Sequence, residues 1–191
     1  MGSVGIYLVG IDSRDWLDGE VLGAVAVALD AELERRGWEG FTAPEPGGPG
    51  AGVSFEEKMN RPIDSFADLC RKQAGGPDAL LDWDLLIPVE FDGALVLPVP
   101  SDHDDTTTVR SAHRALDAAR RLADGMALPP GIPRTSGNLD IVNWFDGPAV
   151  GEAVGTYPGP WSGDLDAAFY TAVYLRAAEH SLRRECPIAY S

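Results

Sequence analysis

The 191-residue chain carries 30 Asp and Glu against 15 Lys and Arg, a formal net charge of -15, with 45% hydrophobic and 24% charged residues. A surface this negative repels phosphate backbones and anionic lipid, which argues against nucleic acid and membrane partners, and it attracts cations and basic proteins. The apolar content is that of a folded protein rather than a disordered chain, and no run approaches the roughly 18 apolar residues of a membrane helix.

In chain order, Val4 to Ile11 (VGIYLVGI) is apolar and β-branched over a strand's length and predicts a central strand, stopped by Asp12 and Ser13. From about Asp18 to Arg36, Val21, Leu22, Val25, Leu29 and Leu33 recur at helical spacing, and Gly37 supplies the left-handed residue that ends the helix. Residues 40–52 are a Pro/Gly-rich loop, expected to be a mobile flap. A shorter helix follows over Asp64 to Gln73, with Phe66, Leu69 and Cys70 on its apolar side.

Leu85 to Phe91 and Ala94 to Val99 flank Asp92-Gly93, a β-hairpin signal at about 85–99. Pro88, Pro98 and Pro100 push that hairpin toward a sheet edge or require bulges. Asp105 to Asp124 reads as a helix with Val109, Ala112, Leu116, Ala119 and Ala123 inward. A short helix is expected over Leu139 to Phe145, then a second flexible Gly/Pro-rich loop over residues 146–163. Asp164 to Glu185 is apolar around much of its circumference, so it predicts a helix packed on more than one side, and Ile188 to Tyr190 a terminal strand. The order gives a single α+β domain over 1–191, with a small mixed or antiparallel sheet packed against several helices.

Cys70 and Cys186 form no CxxC pair, and the N-terminus has no basic leader, so both cysteines are expected as buried thiols of a cytoplasmic protein. Ser101-Asp102-His103-Asp104-Asp105 is the densest polar run. With Glu90 and Asp92, the side chains of Asp102, His103 and Asp105 could hold a ligand or a divalent cation. The competing reading is helix capping, since Asp and Ser satisfy free N–H groups at a helix start. His113 with Asp117, and His180, are the remaining imidazoles that could act as bases. The glycines at 47, 48, 50 and 52 match neither the dinucleotide fingerprint nor a P-loop, and no Gly-x-Ser-x-Gly elbow occurs. No cofactor is implied beyond that cation.

Trp144, Phe145, Tyr157 and Trp161, flanked by Gly and Pro, are candidates for an interface, against the alternative that they close the core. These features favour an acidic protein-binding module, inhibitor-like or immunity-like, that engages a basic protein partner. The alternative is a small-ligand binder or metal-assisted enzyme with a cleft near residues 90–105. Of the 15 basic residues 13 are Arg, and Ala, Gly, Pro and Asp abound, so GC-rich codons also account for the acidity.

Overall fold

In the computed structural model, residues 6–18, 20–43, 54–73, 80–101, 104–134 and 139–191 are described. The first strand, β1 (Tyr7–Gly10), runs into a turn where the Asp12 carboxylate accepts the Arg14 and Asp15 N–H groups at 2.9 and 3.1 Å. That cap starts a short helix, α1 (Ser13–Asp18), ahead of α2 (Glu20–Arg35). The single helix expected from Asp18 is thus preceded by a second one, and Val21 is exposed; Trp16, Val25, Ala26, Leu29 and Leu33 form the buried stripe. Gly37 takes the expected positive φ of 73° after α2.

Among the described residues the sheet has six strands in the order β2-β1-β6-β3-β5-β4, where β2 is Glu56–Lys58, β3 Leu85–Ile87, β4 Leu95–Leu97, β5 Thr107–Ser111 and β6 Ile188–Tyr190. Only β3 and β5 pair in parallel, so the sheet is mixed. The sequence places β3 and β4 correctly around Asp92-Gly93, and Gly93 has the turn's positive φ of 77°. They nevertheless do not pair as a hairpin, because β5 lies between them. Leu85, Leu86 and Ile87 are all buried, which requires a neighbour on each side and cover on both faces. The proline-flanked β4 takes the edge, as its composition requires.

Residues 105–111, expected as the start of a helix, instead form a turn and β5. Thr107, Thr108 and Val109 are β-branched and fit a pleated surface, and the helix α4 (Ala112–Met126) begins only after Ser111. The expected second loop is largely helical as well, with α6 (Pro148–Thr156) followed by a 3₁₀ turn (Pro160–Gly163). Pro148 falls at the first helical positions, where a missing N–H costs nothing. Residues 44–53 of the first loop lie outside the described residues; Phe41 and Ala43 before them are buried, with the Phe41 ring 5.7 Å from that of Trp16.

α1 and α2 cover one face of the sheet through Leu85, Ile87, Leu95, Leu97 and Val109. The other face packs on α4, α5 (Asp140–Asp146) and α7 (Leu165–Arg184), and α3 (Asp64–Gln73) lies against α7 and α4. α7 is buried on nearly all sides, and its buried alanines, Ala167, Ala168, Ala172, Ala177 and Ala178, let its neighbours, α4 above all, lie close. Asp164 caps it by accepting the Ala167 N–H at 3.0 Å, and Glu185 closes it in the left-handed conformation, φ 53°.

β2 has no counterpart in the sequence reading, because Glu-Glu-Lys looks solvated. Its Glu57 is fully buried and accepts the Ile141 and Val142 N–H groups of α5 at 2.8 and 3.1 Å. A carboxylate at a helix's positive end satisfies donors that the short helix cannot satisfy itself. Glu57→Ala is expected to cost roughly 2–4 kcal/mol in urea unfolding, with Glu57→Gln recovering part of it because the amide keeps one acceptor. Unchanged midpoints for both variants would contradict the cap.

Candidate functional site

β1, β3 and β5 begin, and β2 and β6 finish, at one end of the sheet, as the registers Tyr7↔Lys58, Leu8↔Tyr190 and Leu85↔Ala189 require. A cleft of about 800 Å³ opens there. Alternation along β5 puts Val109 into the α2 side of the core and turns Thr108 and Arg110 to the opposite face. Thr106, Thr108 and Arg110, with Val96 of the edge strand and Ala94 just before it, line one flank of the cleft. Met59, Arg61 and Ile63, between β2 and α3, line another. The volume is within the range of small-molecule and peptide-side-chain sites.

The wall between them is aromatic. Tyr170 and Tyr174 are one turn apart on α7 with their rings 6.5 Å apart, and Tyr174 meets Trp83, which in turn meets Tyr190. The Trp83 indole N–H donates to the Leu80 carbonyl at 3.0 Å, and its ring lies 4.7 Å from that of Tyr190. The Tyr174 and Tyr190 hydroxyls share a hydrogen bond of 2.6 Å, and Tyr170 donates to the Arg61 carbonyl. Burial, the leading cause in each case, raises the pKa of all three phenols above an ordinary value at which they are already neutral; Tyr170 and Tyr174 are almost fully buried and Tyr190 is half-buried.

Asp82, Asp84 and Asp104 bring negative charge to the same cleft. Asp84 is fixed to the start of β5, accepting the Thr108 N–H at 2.7 Å while its own N–H donates to the Thr108 carbonyl at 2.9 Å. The two arginines differ. Arg61 is neutralised by Asp146 at 2.6 Å and Asp166 at 3.1 Å, donates to the Phe145 carbonyl, and lies over the Phe145 and Phe169 rings. It clamps the 59–63 segment to α5 and α7. Arg110 donates to the Asp82 and Gly93 carbonyls at 3.0 and 3.4 Å and forms no ion pair among the described residues.

The metal or ligand candidates read from sequence are only partly among the described residues. Asp102 and His103 lie outside the described residues. Asp105 is exposed in the turn before β5, and that turn caps no helix, since Ser101 and Asp104 bond each other instead. Glu90 and Asp92 are exposed and bind Arg114 of α4 at 3.5 and 2.9 Å. No group of three or more His, Cys, Asp or Glu poised for a metal occurs among the described residues.

Of the interface candidates, Phe145 and Trp161 are buried in the helical core and Trp144 is half-buried between them, its ring 4.8 Å and 6.2 Å from theirs. Tyr157 alone is exposed, and its carbonyl accepts the Trp161 indole N–H. Phe145 and Trp161, with half-buried Trp144, therefore close the core end, and Tyr157 faces solvent. Cys70 and Cys186 are free and buried, as expected, and burial pushes both thiols up to about 11. Asp117 faces Arg114, at 3.9 Å.

The cleft residues carry a faint signal in the sequence. Asp82-Trp83-Asp84 brackets an aromatic with acids just before an apolar strand, and Thr106, Thr108 and Arg110 alternate with buried partners. Neither pattern is specific enough to nominate a site without the sheet order. Comparison with protein-family models, curated proteins and solved structures gives no match. No helix among the described residues is long and apolar enough to cross a membrane.

His180 is buried on α7, its ring 5.6 Å from Phe55, away from the cleft. Burial, helped by the charges of Arg183 and Arg184, pushes its imidazole down to about 4 from 6.5. The unfolded chain then binds the extra proton between pH 6.5 and 4, so this residue costs the fold up to about 3 kcal/mol as pH falls through that window. His180→Gln is expected to remove up to one proton from the pH dependence of urea unfolding there. An unchanged slope would contradict the buried neutral imidazole.

Proposed function

We propose that the chain is a binding module for a basic protein segment, in the manner of an inhibitor or immunity protein, and that this segment lies in the cleft at the end of the sheet. The observation that carries the reading is the lining itself: Asp82, Asp84 and Asp104 share the cleft with Trp83, Tyr170, Tyr174 and Tyr190. Arginine and lysine side chains suit both components. Their cations are attracted to the carboxylates, and their stems can lie on the ring surface that stays open, chiefly at half-buried Tyr190, since Trp83, Tyr170 and Tyr174 are 5% exposed or less. The overall charge of -15 adds long-range steering, which speeds association and makes it salt-dependent.

Catalysis has less support from the same residues. Burial raises the phenol pKa values further above the neutral range, and the described lining contains no histidine, cysteine or serine. A rigid aromatic wall with carboxylates near it is the chemistry of recognition.

The test is a titration with an eight-residue Arg-rich peptide, read by tryptophan fluorescence, since Trp83 lies in the cleft. The peptide is expected to bind, a Glu-rich peptide of the same length is not, and added salt should weaken binding. Asp82→Asn with Asp84→Asn should lower affinity about tenfold. The amide oxygen introduced at position 84 can still accept the Thr108 N–H, so the fold is kept. Equal affinity of the double variant and the wild type would contradict the cleft as the site.

A further inference from the structure

We infer that the cleft receives the C-terminal end of its basic segment, with the terminal carboxylate on Arg110. This rests on the reading of the cleft as a site for a basic segment and adds which part of that segment enters. An Arg side chain has five N–H donors. In Arg110 two of them go to the backbone carbonyls of Asp82 and Gly93, and neither goes to a carboxylate. Those two carbonyls hold the guanidinium in place without neutralising it. The remaining donors have no partner among the described residues, on a half-buried side chain that lines the cleft.

The contrast with Arg61 in the same cleft is direct, since two carboxylates already neutralise that guanidinium. A guanidinium held by carbonyls and in no ion pair among the described residues is a ready site for a carboxylate, which it can engage through two parallel N–H···O bonds. Thr108, and Thr106 just ahead of β5, line the same flank and add hydroxyls to it. A ligand that satisfies Arg110 alone would bring uncompensated negative charge to a cleft with three aspartates. The C-terminus of a basic segment brings both signs: its carboxylate meets Arg110, and its preceding Arg or Lys side chains meet Asp82, Asp84 and Asp104.

The experiment compares one Arg-rich peptide with a free and with an amidated C-terminus, against the wild type and Arg110→Gln. Amidation makes the peptide more positive, so general attraction to a chain of charge -15 would tighten binding. A carboxylate seated on Arg110 requires the opposite sign: amidation should weaken binding about tenfold in the wild type and have little effect in Arg110→Gln. Equal or tighter binding of the amide to the wild type overturns the C-terminal inference and leaves the basic-segment reading standing. Failure of both peptides to bind overturns both. An amidated peptide that regains full affinity through a terminal Glu side chain would overturn the chain terminus as the source of the carboxylate. The wild-type comparison decides the matter even if Arg110→Gln disturbs the loop carbonyls it holds.

Discussion

The burial of α7 on nearly all sides is the constraint on which the rest of the structure depends. An ordinary surface helix hides one stripe; this one packs on the sheet, on α3, on α4 and on α5. Alanines on the α4 side permit a close approach, and Phe169, Tyr170 and Tyr174 fill the space toward α3 and α5, where Phe66 stacks on Tyr174 at 5.2 Å. Close packing of this kind leaves little freedom to the side chains involved. Tyr170 and Tyr174 of the cleft belong to this helix, so the core itself holds the wall in place. Arg61 extends the same rigidity to the opposite flank by tying its segment to Asp166 on α7.

Charge works at two scales. The net -15 is a property of composition and would steer a basic partner toward any part of the surface. Choice of site is local. Where carboxylates are buried or already paired, as with Glu57 at α5 and Asp146 and Asp166 on Arg61, their charge holds the fold together. Asp82, Asp84 and Asp104 form no ion pair within the described residues, and the rings beside them supply apolar contact to any cation they attract. Surface ion pairs elsewhere, such as Arg71 with Asp68, each contribute little.

Legibility in the sequence followed the range of the interactions. Helices whose start, stop and apolar face are local were readable almost to the residue: Asp64–Gln73 matches α3, and Asp164 caps α7 as its position implies. Elements set by distant partners were not. Glu57 reads as solvated until α5, 84 residues away, places two N–H groups on it. Asp92-Gly93 makes a turn as its dipeptide dictates, yet no local signal tells that β5 will insert between β3 and β4. The Gly/Pro content of 146–163 suggested a loop because the buried Trp161 that stabilises those short helical turns acts through tertiary contacts. The cleft inherits this difficulty, since its residues come from separate stretches spread along the chain and meet only through the strand order.

The most direct measurement is hydrogen–deuterium exchange with and without a saturating Arg-rich peptide. Slowed exchange is expected in residues 81–84, 94–97 and 104–110, the segments that bring Asp82, Asp84, Asp104 and Arg110 to the cleft. Protection confined to α1 and α2, or spread evenly over the acidic surface, would contradict a defined site at the end of the sheet.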